Sequence, residues 1–211
     1  MNWLSDLDWS DANWTAISIG VAIGTFLLKE FFDRLNRAGD RRRRLQAVQM
    51  VVAREVAATF WPNVEMRSAI SALVKYIKDV KDVRLTLDRS SAKETSLNML
   101  MDDGVSTKTR TLRRLDVRQL ESLLLLTAQL DKRLYAKLEL MAEHMADVNA
   151  ALDSLLNKVR DRESAFWKRD VIATERFAEY VKETVARCDN TANDLYRKCT
   201  GKEIRSLFFI E

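Results

Sequence analysis

Few residues in this chain have the types and spacing that catalysis requires. There is a single histidine, His144, in the stretch MAEHMAD. A zinc site recruits several imidazole, thiolate or carboxylate ligands at short spacing, and a lone histidine between methionines offers no H-E-x-x-H pair. The two cysteines, Cys188 and Cys199, stand eleven apart, which fits neither a zinc ligand pair nor a disulfide framework. They read as small buried hydrophobes in a reducing compartment. The carboxylate pairs Asp102–Asp103 and Asp161/Glu163 fall in polar, charged surroundings and read as solvated faces. Five scattered glycines build no phosphate-cradling loop, and no G-x-S-x-G elbow is present. The expectation is a non-enzymatic protein with no catalytic residue, metal or cofactor.

The cationic residues are more informative. Arg41, Arg42, Arg43 and Arg44 form an unbroken block. Residues 29–44 carry seven basic side chains against three acidic ones, an excess equal to the net charge of +4 for the whole chain. A net charge this small does not by itself indicate nucleic acid. Placed after an apolar stretch, the block suits anionic lipid headgroups, at about 1 kcal/mol per basic residue near a membrane surface. A second cluster, Lys108, Arg110, Arg113, Arg114 and Arg118, has no interleaved aromatic residue and so no platform for stacking bases.

The stretch that must position the arginine block is NWTAISIGVAIGTFLLKE, residues 13–30, with no charge from Ala12 to Leu28. A secretory signal would begin with a positive segment, whereas residues 1–13 carry Asp6, Asp8 and Asp11 and no base. The run reads as a transmembrane helix over 14–32. Trp3, Trp9 and Trp14 flank it where indoles favour an interface. Lys29 can snorkel, which brings Phe31 and Phe32 into the apolar length. Basic residues 33–44 then mark the cytoplasmic side, leaving the acidic N-terminus outside and the bulk of the chain in the cytoplasm. Within the span, Thr15, Ser18, Ala22, Thr25 and Lys29 share one face at about 100° per residue, and would line a pore if several spans assembled. Ala16, Gly20 and Gly24 form a small-xxx-small series suited to close helix packing, hence to a homo-oligomer.

Beyond the span, scarce glycine and a single proline predict long helices. Gly39 either breaks the first helix or is tolerated within it. Leu45, Val48, Val52, Val56 and Phe60 recur at helical spacing, and Pro62 should kink or restart the helix. A further face follows at Met66, Ile70, Leu73, Ile77 and Val80. Residues 88–111, polar and rich in Ser and Thr, read as a long loop with at most a helical turn near 97–101. Asp116 and Gln119 have capping-box spacing. From there one helix of about 45 residues is expected, since nothing interrupts it up to Arg162. Its seam is Leu130, Leu134, Leu138, Met141, Met145, Val148, Leu152, Leu155 and Val159, stepping by three and four as a coiled coil does. The LLLL run at 123–126 should be buried on several sides. A last helix from about Arg169 to Cys199, seamed by Phe177, Val181, Val185, Cys188, Ala192, Leu195 and Cys199, stops at Gly201. The apolar tail, residues 202–211, is expected to tuck against the bundle.

The sequence therefore predicts an all-α protein in which a single transmembrane helix feeds an elongated antiparallel helical bundle or coiled coil over 45–201. Its seams could pack within or between chains. Three readings follow. The first is a membrane-anchored, self-associating scaffold with an unidentified cytoplasmic protein partner. The second is a homo-oligomeric pore or membrane-perturbing effector. The third is a soluble helical nucleic-acid-binding or signalling module. The plan resembles that of bacterial membrane proteins, some of which accompany anti-phage systems, and no residue motif narrows the resemblance to one family.

Overall fold

The structure, a computed structural model, describes residues 14–79, 84–89, 91, 93–100, 107–160 and 171–204, without the side chains of residues 14–20, 22 and 35. The chain divides into two compact units, Met1–Arg44 and Leu45–Glu211.

Helix α1 is Trp14–Ala57 and belongs to both units. It runs through Gly39 without a break. One glycine costs a helix about 1 kcal/mol, too little to interrupt forty-four residues. No helix among the described residues is long and apolar enough to cross a membrane. Much of the expected span, including the side chains of Thr15, Ala16, Ser18, Gly20 and Ala22, lies outside the described residues.

In the second unit, α1 ends where Pro62 forces a restart. The ring has no N–H for the carbonyl four residues back, so the chain turns at Ala58–Thr59. There Thr59 N donates to the Val56 carbonyl at 3.1 Å, and its hydroxyl donates to the same oxygen at 2.8 Å. Helix α2, Phe60–Asp79, begins at once and keeps Pro62 in its first turn. Its buried face holds Met66, Ile70, Leu73 and Ile77.

The all-α expectation fails between α2 and the next helix. Strands β1 (Arg84–Asp88), β2 (Glu94–Leu100) and β3 (Thr107–Arg113) form an antiparallel sheet in the order β1-β2-β3. Register pairs Leu87 with Leu97 and Leu97 with Arg110, and Leu85 with Met99 and Met99 with Lys108. Leu97, Met99 and Leu112 are fully buried on one face. Tyr76 of α2 closes the end of the first ladder. Its hydroxyl accepts from Arg84 N at 3.3 Å and donates to the Leu100 carbonyl. Polar content disguised these strands, because a sheet covered on one face needs an apolar residue only at every second position.

The expected 45-residue helix is two. Helix α3, Val117–Leu130, and helix α4, Lys132–Arg160, meet at Asp131. Asp131 adopts an extended backbone, and its Oδ1 accepts from Arg133 N at 2.8 Å and Leu134 N at 3.1 Å. That is an N-cap, which satisfies helix-start N–H groups that have no carbonyl partner. Burial pushes the Asp131 carboxyl up, but the bonds from Leu134 and Arg133 and the nearby Lys198 outweigh it and hold the group below its usual range. The capping box does not form. Asp116 makes no side-chain cap bond and reaches Lys93 at 2.5 Å instead. Gln119, with its amide nitrogen turned toward α1, meets the Glu55 carboxylate.

The turn folds α3 back on α4, and α4 packs on α5, Val171–Thr200, which also packs on α2. Leu134, Leu138, Met141, Met145, Val148, Leu152 and Leu155 are buried in this single-chain core, with Leu130 and Val159 half-buried. The seam thus packs within one chain. The LLLL run is not enclosed. Leu123 and Leu124 are half-buried, while Leu125 and Leu126 are 79% and 50% exposed. With α3 doubled back on one neighbour, its outer face stays uncovered. Helix α5 ends at Gly201, whose φ of +75° continues into a turn that an L side chain would strain. Gly201 N bonds the Arg197 carbonyl at 2.8 Å. Ile204 then tucks in, buried, with its N–H on Asn193 Oδ1 at 3.0 Å. The remainder of the tail, residues 205–211, lies outside the described residues.

Candidate functional site

The feature with the clearest physical demand on its surroundings is the apolar part of α1. Val21, Ile23, Phe26, Leu27, Leu28, Phe31 and Phe32 are each exposed, from 55% to 66%. Stepped off at about 100° per residue, they occupy nearly every sector of the helix apart from the one holding Thr25 and Lys29. A stripe would point to one packing partner, whereas apolar residues all round call for an apolar environment on all sides. Phe31 and Phe32 meet edge to face at 6.1 Å.

Of the polar stripe, Thr25 and Lys29 fall among the described side chains, and both are exposed. The Thr25 hydroxyl donates to the Val21 carbonyl at 2.8 Å, so it is already bonded within its own helix. Around Gly24 an added methyl group would meet nothing within 4 Å. Glu30, within the apolar belt, pairs with Arg34 one turn on at 3.1 Å. Arg41, Arg42, Arg43 and Arg44 are all exposed.

The second unit brings together residues that the sequence did not connect. Asn63 on α2, fully buried, donates to Asp189 Oδ1 on α5 at 2.7 Å, and Arg67 pairs with the other carboxylate oxygen. Asp189 and Arg67 border a cavity of about 60 Å³ with Thr59, Asn193 and Ile204. This volume suits a few waters, not a substrate. The arrangement is a structural tie between α2 and α5. Burying an amide is costly unless it is bonded, and the carboxylate of Asp189 serves both donors at once.

The single histidine is half-buried, and its Nδ1 lies 2.9 Å from the Thr191 hydroxyl, joining α4 to α5. Cys188 is buried and Cys199 half-buried. Burial pushes both thiols up, from an ordinary 9.0 to about 11. Such thiols are poor nucleophiles. Alkylation by iodoacetamide at pH 8 should leave both unmodified in the folded chain and modify both in urea. Rapid labelling of the folded chain would contradict this burial. The sign of the pH effect follows. The unfolded chain ionises its thiols from about pH 9, the folded chain not until about 11, so stability falls as pH climbs through that interval.

In the second basic cluster Arg113 and Arg114 are internally paired. Arg113 meets Glu94 at 2.7 Å and Glu65 at 3.5 Å, and Arg114 pairs with Asp153. Burial pushes the Glu65 carboxyl up, Arg113 pulls it down and Glu94 adds to the rise. Asn149 on α4 fixes the connection into α3. It accepts from Leu115 N and donates to the Leu115 carbonyl, both at 2.9 Å. Lys108 is exposed, and Arg110 carries a buried Nε with no hydrogen-bond partner. Among the described residues no group of three or more His, Cys, Asp or Glu could hold a metal ion.

Sequence reasoning missed the Asn63–Asp189–Arg67 tie, because Asp189 lies more than a hundred residues from Asn63 and Arg67 and each is unremarkable in its own helix. The Asn149 clamp left no signal either. The strand alternation in TSLNML and TKTRTLR was available as a pattern. No known protein family, curated protein or solved structure matches this chain.

Proposed function

We propose that this chain is a non-enzymatic, single-pass membrane protein whose second unit serves as an interaction module on the cytoplasmic side, with the N-terminus outside. The observation that carries the reading is the belt from Val21 to Phe32, exposed on nearly all sides of α1 and followed by four exposed arginines. Left in water, those seven side chains would each forgo about 1.5–3 kcal/mol of burial. A bilayer covers all sectors of a helix at once. Residues 14–32, at about 1.5 Å each, reach about 28 Å, close to the hydrocarbon thickness. The arginines then sit at the headgroups, where anionic lipid attracts them. The open space around Gly24 suits close approach of a second copy of the span.

The test is extraction. The full-length chain should remain in the membrane pellet through alkaline carbonate and need detergent for release. A chain beginning at Gly39 should appear in the supernatant. Full-length protein in the carbonate supernatant would refute the anchor.

A further inference from the structure

Both outer strands of the sheet have an edge, and their ladder geometry shows which backbone groups face away from the central strand. Arg114 N bonds the Lys93 carbonyl at 3.0 Å. In an antiparallel pair, hydrogen-bonded residues alternate with non-bonded ones. With the observed register, Lys108, Arg110 and Leu112 therefore turn their N–H and C=O groups toward β2. Thr107, Thr109, Thr111 and Arg113 turn theirs outward. Helix α2 packs against β3 more than against β2. Its Glu65 approaches Arg113, whereas Tyr76, three turns later, lies over Arg84 and Leu100 on β1 and β2. Thr107, Lys108 and Thr109 are all exposed.

An open edge of this kind accepts an added strand, and its side chains select the partner. Lys108 and Arg110 project from the face of β3 that carries Leu112, Lys108 exposed and Arg110 half-buried. Neither forms an ion pair with a carboxylate among the described residues, and the Arg110 guanidinium makes only a long 3.4 Å bond to the Thr109 carbonyl. Thr107, Thr109 and Thr111 project from the other face. A second copy of β3 is the wrong occupant, because antiparallel self-pairing sets lysine and arginine against lysine and arginine, and like charges across a ladder repel.

We propose that the β3 edge binds an extended acidic segment of a partner protein by strand addition. The segment carries Asp or Glu at alternate positions, facing Lys108 and Arg110, and β-branched or hydroxyl residues between them, facing the threonine row. The surface belongs to the second unit and makes no use of membrane attachment. Its failure would leave the anchor reading untouched, and the reverse holds as well.

The probe is a synthetic peptide of alternating Glu and Val, titrated into the full-length chain in detergent micelles. Amide hydrogen exchange should slow at Thr107, Thr109 and Thr111 on binding, while the inward amides of Lys108, Arg110 and Leu112 are already slow without it. Thr109→Pro removes an outward N–H and leaves the β2 ladder intact, so it should weaken binding at least tenfold with an unchanged far-ultraviolet spectrum. The double substitution Lys108→Glu with Arg110→Glu should lose the Glu–Val peptide and gain a Lys–Val one. Equal affinity for Thr109→Pro, protection elsewhere or no binding would overturn the proposal. So would a β3–β3 dimer that excludes the peptide.

Discussion

Replacing Phe26 and Leu27 together by aspartate is expected to move the full-length chain out of the carbonate-resistant membrane fraction. Both side chains are exposed on α1, at 66% and 60%, and lie a turn past the midpoint of residues 14–32. An aspartate at the centre of a spanning helix costs about 2.5–3.5 kcal/mol on insertion scales, and each lost apolar side chain forfeits a further few tenths. The pair together removes about 6–8 kcal/mol, more than a marginal single span can lose. The arginine block should respond differently. Arg42→Ala with Arg43→Ala should weaken affinity for anionic vesicles by about 1 kcal/mol per residue, with salt reducing the difference, and should leave carbonate resistance intact. A pellet that retains the double-aspartate variant would show that something other than the apolar belt holds the chain there.

The second large effect concerns the core. Leu138→Ala should destabilise the second unit by about 2–5 kcal/mol, since Leu138 is fully buried in the α4 seam and truncation leaves a cavity that its neighbours only partly fill. Leu125→Ala is the companion measurement. That leucine is 79% exposed, so its loss should shift the urea midpoint by no more than about 0.5 kcal/mol equivalent. The contrast distinguishes two leucines thirteen positions apart in what the sequence presents as one continuous helix. An equal cost at both sites would mean that the outer face of α3 is covered in solution.

These two leucines also show what the sequence revealed and what it concealed. The seam from Leu134 to Leu155 was legible because an apolar residue at every third or fourth position has only one way to be buried. Its partner was not legible, since the same stripe suits a neighbouring chain and a neighbouring helix equally. The break at Asp131 was concealed because an aspartate inside a charged helix and an aspartate capping a new one differ only in backbone angle. Asp116, with better capping spacing, lost that role to Lys93, a residue made close by the sheet. The strands were hidden by composition. Thr107, Thr109 and Thr111 alternate with Lys108, Arg110 and Leu112, yet so many polar residues together resemble a solvated loop until α2 supplies a cover for Leu97, Met99 and Leu112. Of the span, the uncharged run and the arginine block were plain in the sequence. The bond from Thr25 to Val21, which occupies a hydroxyl of the polar stripe, was not.

The tie between Asn63 and Asp189 joins positions 126 residues apart, and this bears on the order in which the chain matures during synthesis. The sheet joins consecutive strands, so its contacts are local and close early. Helix α2 can meet β3 as soon as the hairpin exists. Its contact with α5 must wait until nearly the whole chain has left the ribosome. Throughout that interval Asn63 lacks its carboxylate partner, and the apolar surface that α5 will cover stays open to other nascent segments and to chaperones.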